Sequence, residues 1–188
     1  AGAVEEFGTI DILINNAGIL RDRAFHNLPL EDLHAVLDVH LRGAFSVTQP
    51  AVRVMRERGY GRIVFASSAS GVLGNFGQTN YGAAKMGLVG LMNVLKLEGA
   101  KYDIKVNTVA PIAGTRMTRE LLGERAAAFD PALVAPAVAY LCSEECTLTG
   151  DLWSVGGGTV SRFFIGLTDG YAKGPGEGPL TVEDVAAN

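Results

Sequence analysis

The chain has 188 residues, of which 48% are hydrophobic and 19% are charged, so it can bury a core and does not have the composition of a disordered protein. Its formal net charge of −4 at pH 7 argues against binding to nucleic acid or to an acidic membrane through bulk charge. At about 150 residues per domain, this length predicts one domain with a short appendage. The two cysteines, Cys142 and Cys146, exclude a disulfide-stapled fold and match no zinc or redox motif.

Short apolar runs alternate with longer amphipathic stretches along the chain. Runs rich in Ile and Val that end in turn-forming residues predict buried strands over residues 10–14, 62–66, 104–109 and 152–155. The stretches between them have the 3.6-residue period of helices, over residues 31–55, 81–99 and 132–142. This alternation predicts an α/β fold in which helices connect the strands of a parallel sheet.

Three local signals refine this outline. The first long helix has an apolar face that includes Val47, and Pro50 is expected to kink this helix or to end it early. Residues 170–179 are rich in Gly and Pro and predict a loop. Thr181 and Asp184 have the spacing of a capping box, which predicts the start of a short helix.

The pair Tyr81 and Lys85 carries the first chemical signal. Because they are four residues apart on a predicted helix, the two side chains share one face. Tyrosine has a pKa of about 10 and is a poor acid-base catalyst at neutral pH, but a lysine cation beside it stabilises the phenolate and lowers that pKa. A Tyr and a Lys at this spacing also occur by chance, so the pair is weak evidence by itself.

Small and polar residues follow three of the predicted strands. The segment 15–18 (Asn-Asn-Ala-Gly) follows the first strand, Ser68 follows the second, and Pro111 follows the third. The carboxyl ends of parallel strands meet along one edge of a sheet, where open α/β sheets bind their ligands. Turn formation alone would explain each serine of residues 67–70. Together with the Tyr81 helix, however, these strand ends predict a binding crevice.

These residues together resemble the short-chain dehydrogenases/reductases. The matching motifs occur in the family's order and spacing: Asn15-Asn16-Ala17-Gly18, Ser68, Tyr81-Gly82-Ala83-Ala84-Lys85, and the segment from Asn107 to Pro111. A narrower resemblance is to the (3R)-hydroxyacyl-CoA dehydrogenase part of peroxisomal multifunctional enzymes and of bacterial relatives, over residues 18–23, 39–43, 67–71, 74–78, 113–118 and 180–185. The resemblance implies a Rossmann-like, doubly wound parallel sheet with helices on both faces, here without its first βα units.

The resemblance also implies a role for each matching residue. Tyr81 would be the general acid/base at the substrate's C3 oxygen, Lys85 would lower the pKa of Tyr81 and bind the nicotinamide ribose, and Ser68 would hold the C3 oxygen. Besides Tyr81 and Lys85, the cofactor cleft would be lined by Asn16, Ala17, Gly18, Ile112, Gly114 and Thr115. His40 stands where most of the superfamily has an asparagine, so it is either a buried structural residue or part of a proton relay to Lys85.

The family's Gly-rich phosphate loop, and the residue that selects NAD or NADP, have no counterpart in this sequence. At about 30 residues per βαβ unit, two to three units of the family's fold would precede the first predicted strand. We therefore expect residues 1–160 to be the C-terminal portion of a dehydrogenase domain, and residues 161–188 to be a C-terminal extension.

The leading functional prediction is an oxidoreductase that transfers a hydride between NAD, or NADP, and the C3 position of a 3-hydroxyacyl-CoA. The alternatives are an NADPH-dependent 3-oxoacyl-carrier-protein reductase and an inactive fragment that serves only for packing or dimerisation. The expected partner is an acyl-CoA or acyl-carrier-protein thioester, with no nucleic acid and no membrane. The resemblance also implies a homodimer or homotetramer. Arginine outnumbers lysine by eleven to five, which suggests a bacterial gene and a cytoplasmic location, whereas a eukaryotic multifunctional enzyme would be in the peroxisome.

Overall fold

The computed structural model describes residues 2–118 and 122–188, and its centre is a five-stranded sheet. In chain order the strands are β1 (Ile12–Asn15), β2 (Gly61–Ala66), β3 (Ile104–Pro111), β4 (Leu152–Gly156) and β5 (Thr159–Phe163). Their order in the sheet is the same as their order in the chain, and β1 to β4 are parallel. The four predicted strands are confirmed. The antiparallel strand β5, which pairs with β4, was not predicted.

Seven α-helices lie in the described ranges. They are α1 (Gly2–Phe7), α2 (Leu30–Leu37), α3 (Gly43–Arg58), α4 (Ala69–Leu73), α5 (Thr79–Gly99), α6 (Ala135–Cys142) and α7 (Val182–Ala187). The predicted capping box is present at the start of α7, and residues 170–179 form a loop. Among these described helices, none has both the length and the apolar character needed to cross a membrane.

The predicted helix over residues 31–55 is interrupted by a π-helical turn, Asp38–Arg42, which joins α2 to α3. α3 continues well past Pro50, so the expected early end at this residue is wrong. A π-turn takes more residues than an α-helical turn and therefore shifts the inward-facing side of the helix. As a result Val47, expected to face inward, is 51% exposed, whereas Thr48 is buried.

Helices cover both faces of the sheet, but unequally. The helices α3 and α5 pack on one face, where the main core includes Phe65 and Met92. On the other face a smaller cluster includes Leu141 of α6, next to a cavity of about 590 Å³. Ile12 and Ile14 of the edge strand β1 border this cavity, and each is about half exposed. The predicted doubly wound α/β architecture is thus present, with one face only partly covered in the described residues.

Candidate active site

Tyr81 and Lys85 lie one turn apart near the start of α5, as predicted. The Lys85 Nζ atom is 5.4 Å from the centre of the Tyr81 ring. The Lys85 side chain is buried and donates from Nζ to the carbonyl oxygen of Ala66, at the end of β2, over 2.5 Å. The Ser67 hydroxyl in turn donates to the carbonyl oxygen of Lys85 over 2.9 Å. These two hydrogen bonds fix the part of α5 that carries Tyr81 and Lys85 to the end of β2.

Ser68 follows β2 and begins α4. Its Oγ accepts a hydrogen bond from the Ser70 N–H over 3.2 Å, so it also caps this helix. Two glycines let α4 approach α5 closely. A Cβ atom on Gly71 would lie 2.9 Å from the Met86 nitrogen, and one on Gly82 would lie 3.1 Å from the Ser70 carbonyl oxygen. The helix that begins at Ser68 can therefore lie directly against the helix that carries Tyr81.

Burial dominates the proton affinities of the pair. It lowers the pKa of Lys85 to about 8, and it raises the pKa of Tyr81 because a buried phenolate loses its hydration. The neighbouring Ser68 side chain lowers the pKa of Tyr81 and the Asp22 carboxylate raises it, with a net upward direction. In this structure loss of hydration outweighs the lowering contact with Ser68, and the lowering of the Tyr81 pKa by Lys85 stays a prediction.

His40 lies in the π-turn, is 3% exposed, and holds the loop after β1. Its Nε2 atom is 3.0 Å from the Ile19 nitrogen and 2.8 Å from the Ile19 carbonyl oxygen, so it accepts from one or donates to the other according to its tautomer. Its ring is perpendicular to that of Tyr81, with the centres 5.1 Å apart. Burial and the Lys85 charge lower the pKa of His40, against the Ile19 backbone contact, which raises it. The predicted buried, hydrogen-bonded histidine is present, and its part in a proton relay stays a prediction.

The segment after β1 is open where a cofactor was predicted. Asn16 and Ala17 are exposed, and Asn16 borders the cavity of about 590 Å³ together with Thr115. Gly18 has no room for a side chain, because a Cβ atom there would lie 2.6 Å from His40 Cε1. Ser68, Tyr81 and Lys85 are not among the described residues that line this cavity. Of the residues predicted to bind a cofactor, only Asn16 and Thr115 line this cavity, and the assignment of a cofactor to it stays a prediction.

The predicted cofactor residues after β3 use their backbone donors within the chain. The Ile112 N–H donates to the Val155 carbonyl oxygen over 2.8 Å, and the Gly114 N–H donates to the Phe129 carbonyl oxygen over 2.7 Å. The Thr115 N–H donates to the Thr118 hydroxyl over 2.9 Å. A cofactor would therefore contact other atoms of this segment, or would replace these bonds. The role of Ile112, Gly114 and Thr115 stays a prediction.

Sequence reasoning missed a set of hydrogen bonds between the loop after β1 and the start of α5. Three consecutive loop residues take part: the Arg21 carbonyl oxygen accepts from Asn80 Nδ2 over 2.9 Å, Asp22 Oδ2 accepts from Gln78 Nε2 over 2.8 Å, and the Arg23 N–H donates to the Gly77 carbonyl oxygen over 2.8 Å. We call these six residues the loop clasp. The partners are more than fifty residues apart in the chain, so no local pattern marks them.

A parallel sheet with a Tyr-Lys helix at the carboxyl ends of its strands is the arrangement of a dinucleotide-dependent oxidoreductase. Residues 1–125 match the family model described as short chain dehydrogenase. The chain belongs to the short-chain dehydrogenase family, which confirms the predicted resemblance.

Particular relatives can then be named. A short-chain type dehydrogenase/reductase of Mycobacterium tuberculosis is 52% identical over 98% of this chain and 64% of its own length. Peroxisomal multifunctional enzyme type 2 of Mus musculus is 47% identical over 99% of this chain and 25% of its own length. Acetoacetyl-CoA reductase of an Acinetobacter species is 41% identical over 83% of this chain and 68% of its own length. The chain therefore spans only part of the length of each relative.

A solved structure gives the same result for the fold. The full-length peroxisomal multifunctional enzyme type 2 of Drosophila melanogaster superimposes with a TM-score of 0.82 and 40% sequence identity. The match covers 93% of this chain and 32% of the solved one. The predicted Rossmann-like fold is confirmed by this likeness.

Proposed function

We propose that this chain forms the catalytic part of an oxidoreductase that transfers a hydride between NAD and the C3 position of a 3-hydroxyacyl-CoA. The observation that carries the proposal is the grouping of Ser68, Tyr81 and Lys85 at the carboxyl end of β2, with the open segment 16–18 at the end of β1. The relation to an acetoacetyl-CoA reductase supports a coenzyme A thioester as the substrate.

The residues on the open side of the crevice suit a flat, extended ligand. Asn16 and Ala17 are exposed beside the large cavity, and Gly18 lets the backbone run close to His40. Asn16, Ala17, Gly18, Ile112, Gly114 and Thr115 would hold the dinucleotide, with Lys85 and Tyr81 at its nicotinamide ribose. When bound, the nicotinamide accepts or donates the hydride.

The chain's own residues would move the proton. Since burial raises the pKa of Tyr81, its hydroxyl is protonated at neutral pH and can donate to a keto oxygen at C3. This donation leaves a Tyr81 phenolate, which the Lys85 cation would stabilise. In the oxidation direction the Tyr81 phenolate takes the proton from the C3 hydroxyl and becomes the neutral phenol again. Ser68 would hold the C3 oxygen. His40 is our candidate for a relay to Lys85, because its buried Nδ1 has no hydrogen-bond partner among the described residues.

The remaining parts of the proposal concern cofactor choice, assembly and location. We favour NAD over NADP, and an acyl-CoA over an acyl-carrier-protein thioester. The outer sides of α3 and α5 expose Phe45, Val94 and Leu97, which supports a homodimer or homotetramer. We assign residues 1–160 to the dehydrogenase domain and residues 161–188 to an extension. The location would be the bacterial cytoplasm or, in a eukaryotic multifunctional enzyme, the peroxisome.

The test follows formation of NADH at 340 nm in the complete protein with (3R)- and (3S)-3-hydroxybutanoyl-CoA. Tyr81→Phe should lower kcat by about 100-fold or more, because general acid/base catalysis supplies at least that factor. Its affinity for NADH, read by fluorescence, should stay within about 3-fold. Tyr171→Phe, in the exposed C-terminal loop, is the matched control.

Three outcomes would change the assignment. Unchanged turnover in Tyr81→Phe would remove this residue from the mechanism. Turnover only with NADPH and a 3-oxoacyl-carrier protein would favour the reductase alternative. Absence of both dinucleotide binding and turnover would leave the chain as a packing or dimerisation module.

A further inference from the structure

Asn80 joins the two sides of the crevice through one side chain. It is 1% exposed and immediately precedes Tyr81. Its Oδ1 atom accepts from the Tyr81 N–H over 2.8 Å, and its Nδ2 atom donates to the Arg21 carbonyl oxygen over 2.9 Å. The Tyr81 N–H lies in the first turn of α5, where backbone donors have no carbonyl partner within the helix. Asn80 thus satisfies a donor of the catalytic helix and an acceptor of the loop after β1.

The rest of the loop clasp reinforces this connection. Gln78 is buried, and besides donating to Asp22 it accepts from Asn75 Nδ2 over 3.0 Å, so its amide has a single orientation. Two residues before Arg21, the loop is held again by His40 at Ile19. The loop that begins at the proposed cofactor segment is therefore fixed at successive points along its length.

We propose that Asn80 is a positioning residue, which sets the distance and direction between the loop of residues 16–23 and the Tyr81 hydroxyl without touching the substrate. The proposal rests on the proposed function, since it concerns the alignment of Tyr81 with a cofactor on that loop. Proton and hydride transfer need closely held geometry, and a misplacement of about 1 Å can cost about 100-fold in rate.

The two hydrogen bonds at this position explain why residue 80 carries a side-chain amide. The position requires one donor and one acceptor on a short side chain, and asparagine provides both. Aspartate keeps the acceptor for the Tyr81 N–H, but it would set a carboxylate oxygen against the Arg21 carbonyl oxygen. Alanine keeps neither partner. The two substitutions therefore separate loss of the loop contact from loss of the whole connection.

The test compares Asn80→Ala and Asn80→Asp in the complete protein with Asn93→Ala. Asn93 lies on the same helix, but it is half-buried and its side chain makes no hydrogen bond among the described residues. We expect kcat to fall about 10- to 100-fold in both Asn80 variants, with the KM for the thioester within about 3-fold. In Asn80→Asp the added carboxylate should also move the kcat/KM profile to higher pH, because it raises the pKa of Tyr81. This pH shift reports the added charge, whereas a fall in kcat with an unchanged KM is the result that a merely structural role would not produce.

Amide hydrogen exchange gives a readout that does not depend on turnover. Asn80→Ala should speed exchange in both residues 16–23 and residues 79–84, whereas Asn93→Ala should speed it in neither. Wild-type kcat in the Asn80 variants, or faster exchange in α5 alone, would overturn the proposal. If the wild-type protein turns over no thioester, the proposed function fails. Hydrogen exchange still decides whether Asn80 connects the two segments, because only a connecting residue would speed exchange in both of them when it is replaced. If Asn80→Ala does not fold, Asn80→Asp decides in both assays.

Discussion

Lys85 should make the stability of the protein rise with pH. Burial lowers the pKa of its ammonium group from 10.5 to about 8 in the folded chain, whereas the unfolded chain keeps the ordinary value. Between these two pH values the unfolded state binds the proton that the folded state has released, so raising the pH favours folding. At about 1.36 kcal/mol per pH unit, the gap corresponds to roughly 3 kcal/mol of unfolding free energy. This cost is present at pH 7 and is lost above about pH 10.5.

The assay is urea unfolding of the cofactor-free complete protein and of Lys85→Met between pH 7 and 10.5. Methionine keeps the length of the side chain and removes its charge. At pH 7 the variant should be more stable by about 2 kcal/mol, after about 1 kcal/mol is subtracted for the lost hydrogen bond to Ala66. This advantage should shrink as the pH rises and become a deficit of about 1 kcal/mol near pH 10.5, where only the loss of the hydrogen bond remains. The difference between the two proteins removes the contribution of the titrating groups that do not interact with Lys85.

Lys96→Met, on the same helix but half-buried, serves as the control and should keep the wild-type dependence on pH, because it retains Lys85. A stability difference between wild type and Lys85→Met that stays constant from pH 7 to 10.5 would refute the reasoning. It would mean that the Lys85 ammonium group does not lose its hydration on folding.

Two further substitutions test close packing, one in the loop after β1 and one at the amino end of β2, away from the proposed site. Gly18→Ala would set a Cβ atom 2.6 Å from His40 Cε1, so we expect a loss of about 1–3 kcal/mol in unfolding free energy and weaker NADH binding. Gly90→Ala, where nothing lies within 4 Å, should cause no loss, and equal effects of the two would argue against close packing at Gly18. Arg62 is 3% exposed and its guanidinium donates to three backbone carbonyl oxygens. Arg62→Met should cost about 2–3 kcal/mol in urea unfolding, and a cost below about 0.5 kcal/mol would contradict this account.

The sequence alone was sufficient to predict the strands and helices that bury an apolar side. β2 is buried along its whole length and α5 buries one side, so an apolar run predicted the first and helical periodicity predicted the second. β5 was missed because its residues are mostly exposed and form no apolar pattern. The inward side of α3 was misjudged at Val47 because a π-turn adds backbone length that no side-chain pattern records.

The features of the site also fall into those that the sequence predicts and those that only the folded structure reveals. Ser68, Tyr81 and Lys85 could be predicted as site residues because a local motif and strand ends mark them, and their roles stay predictions. The contact of Asn80 with Arg21 depends on how two distant loops meet, and the direction of the pKa shift of Tyr81 depends on how deeply the ring is buried. Both are properties of the folded chain and not of any short segment.

The π-helical turn Asp38–Arg42 makes this part of the chain sensitive to length. Val36 before the turn and Ala44 and Thr48 after it are buried, and His40 inside it reaches the loop after β1. Removing one residue would restore a regular α-helix and rotate everything beyond it by about 100°. Either His40 would lose its hydrogen bond to the backbone of Ile19, or the buried side of α3 would turn towards solvent. A changed side chain can be accommodated by repacking, but a changed residue count cannot. Proteins that keep this site should therefore vary here by substitution and not by insertion or deletion.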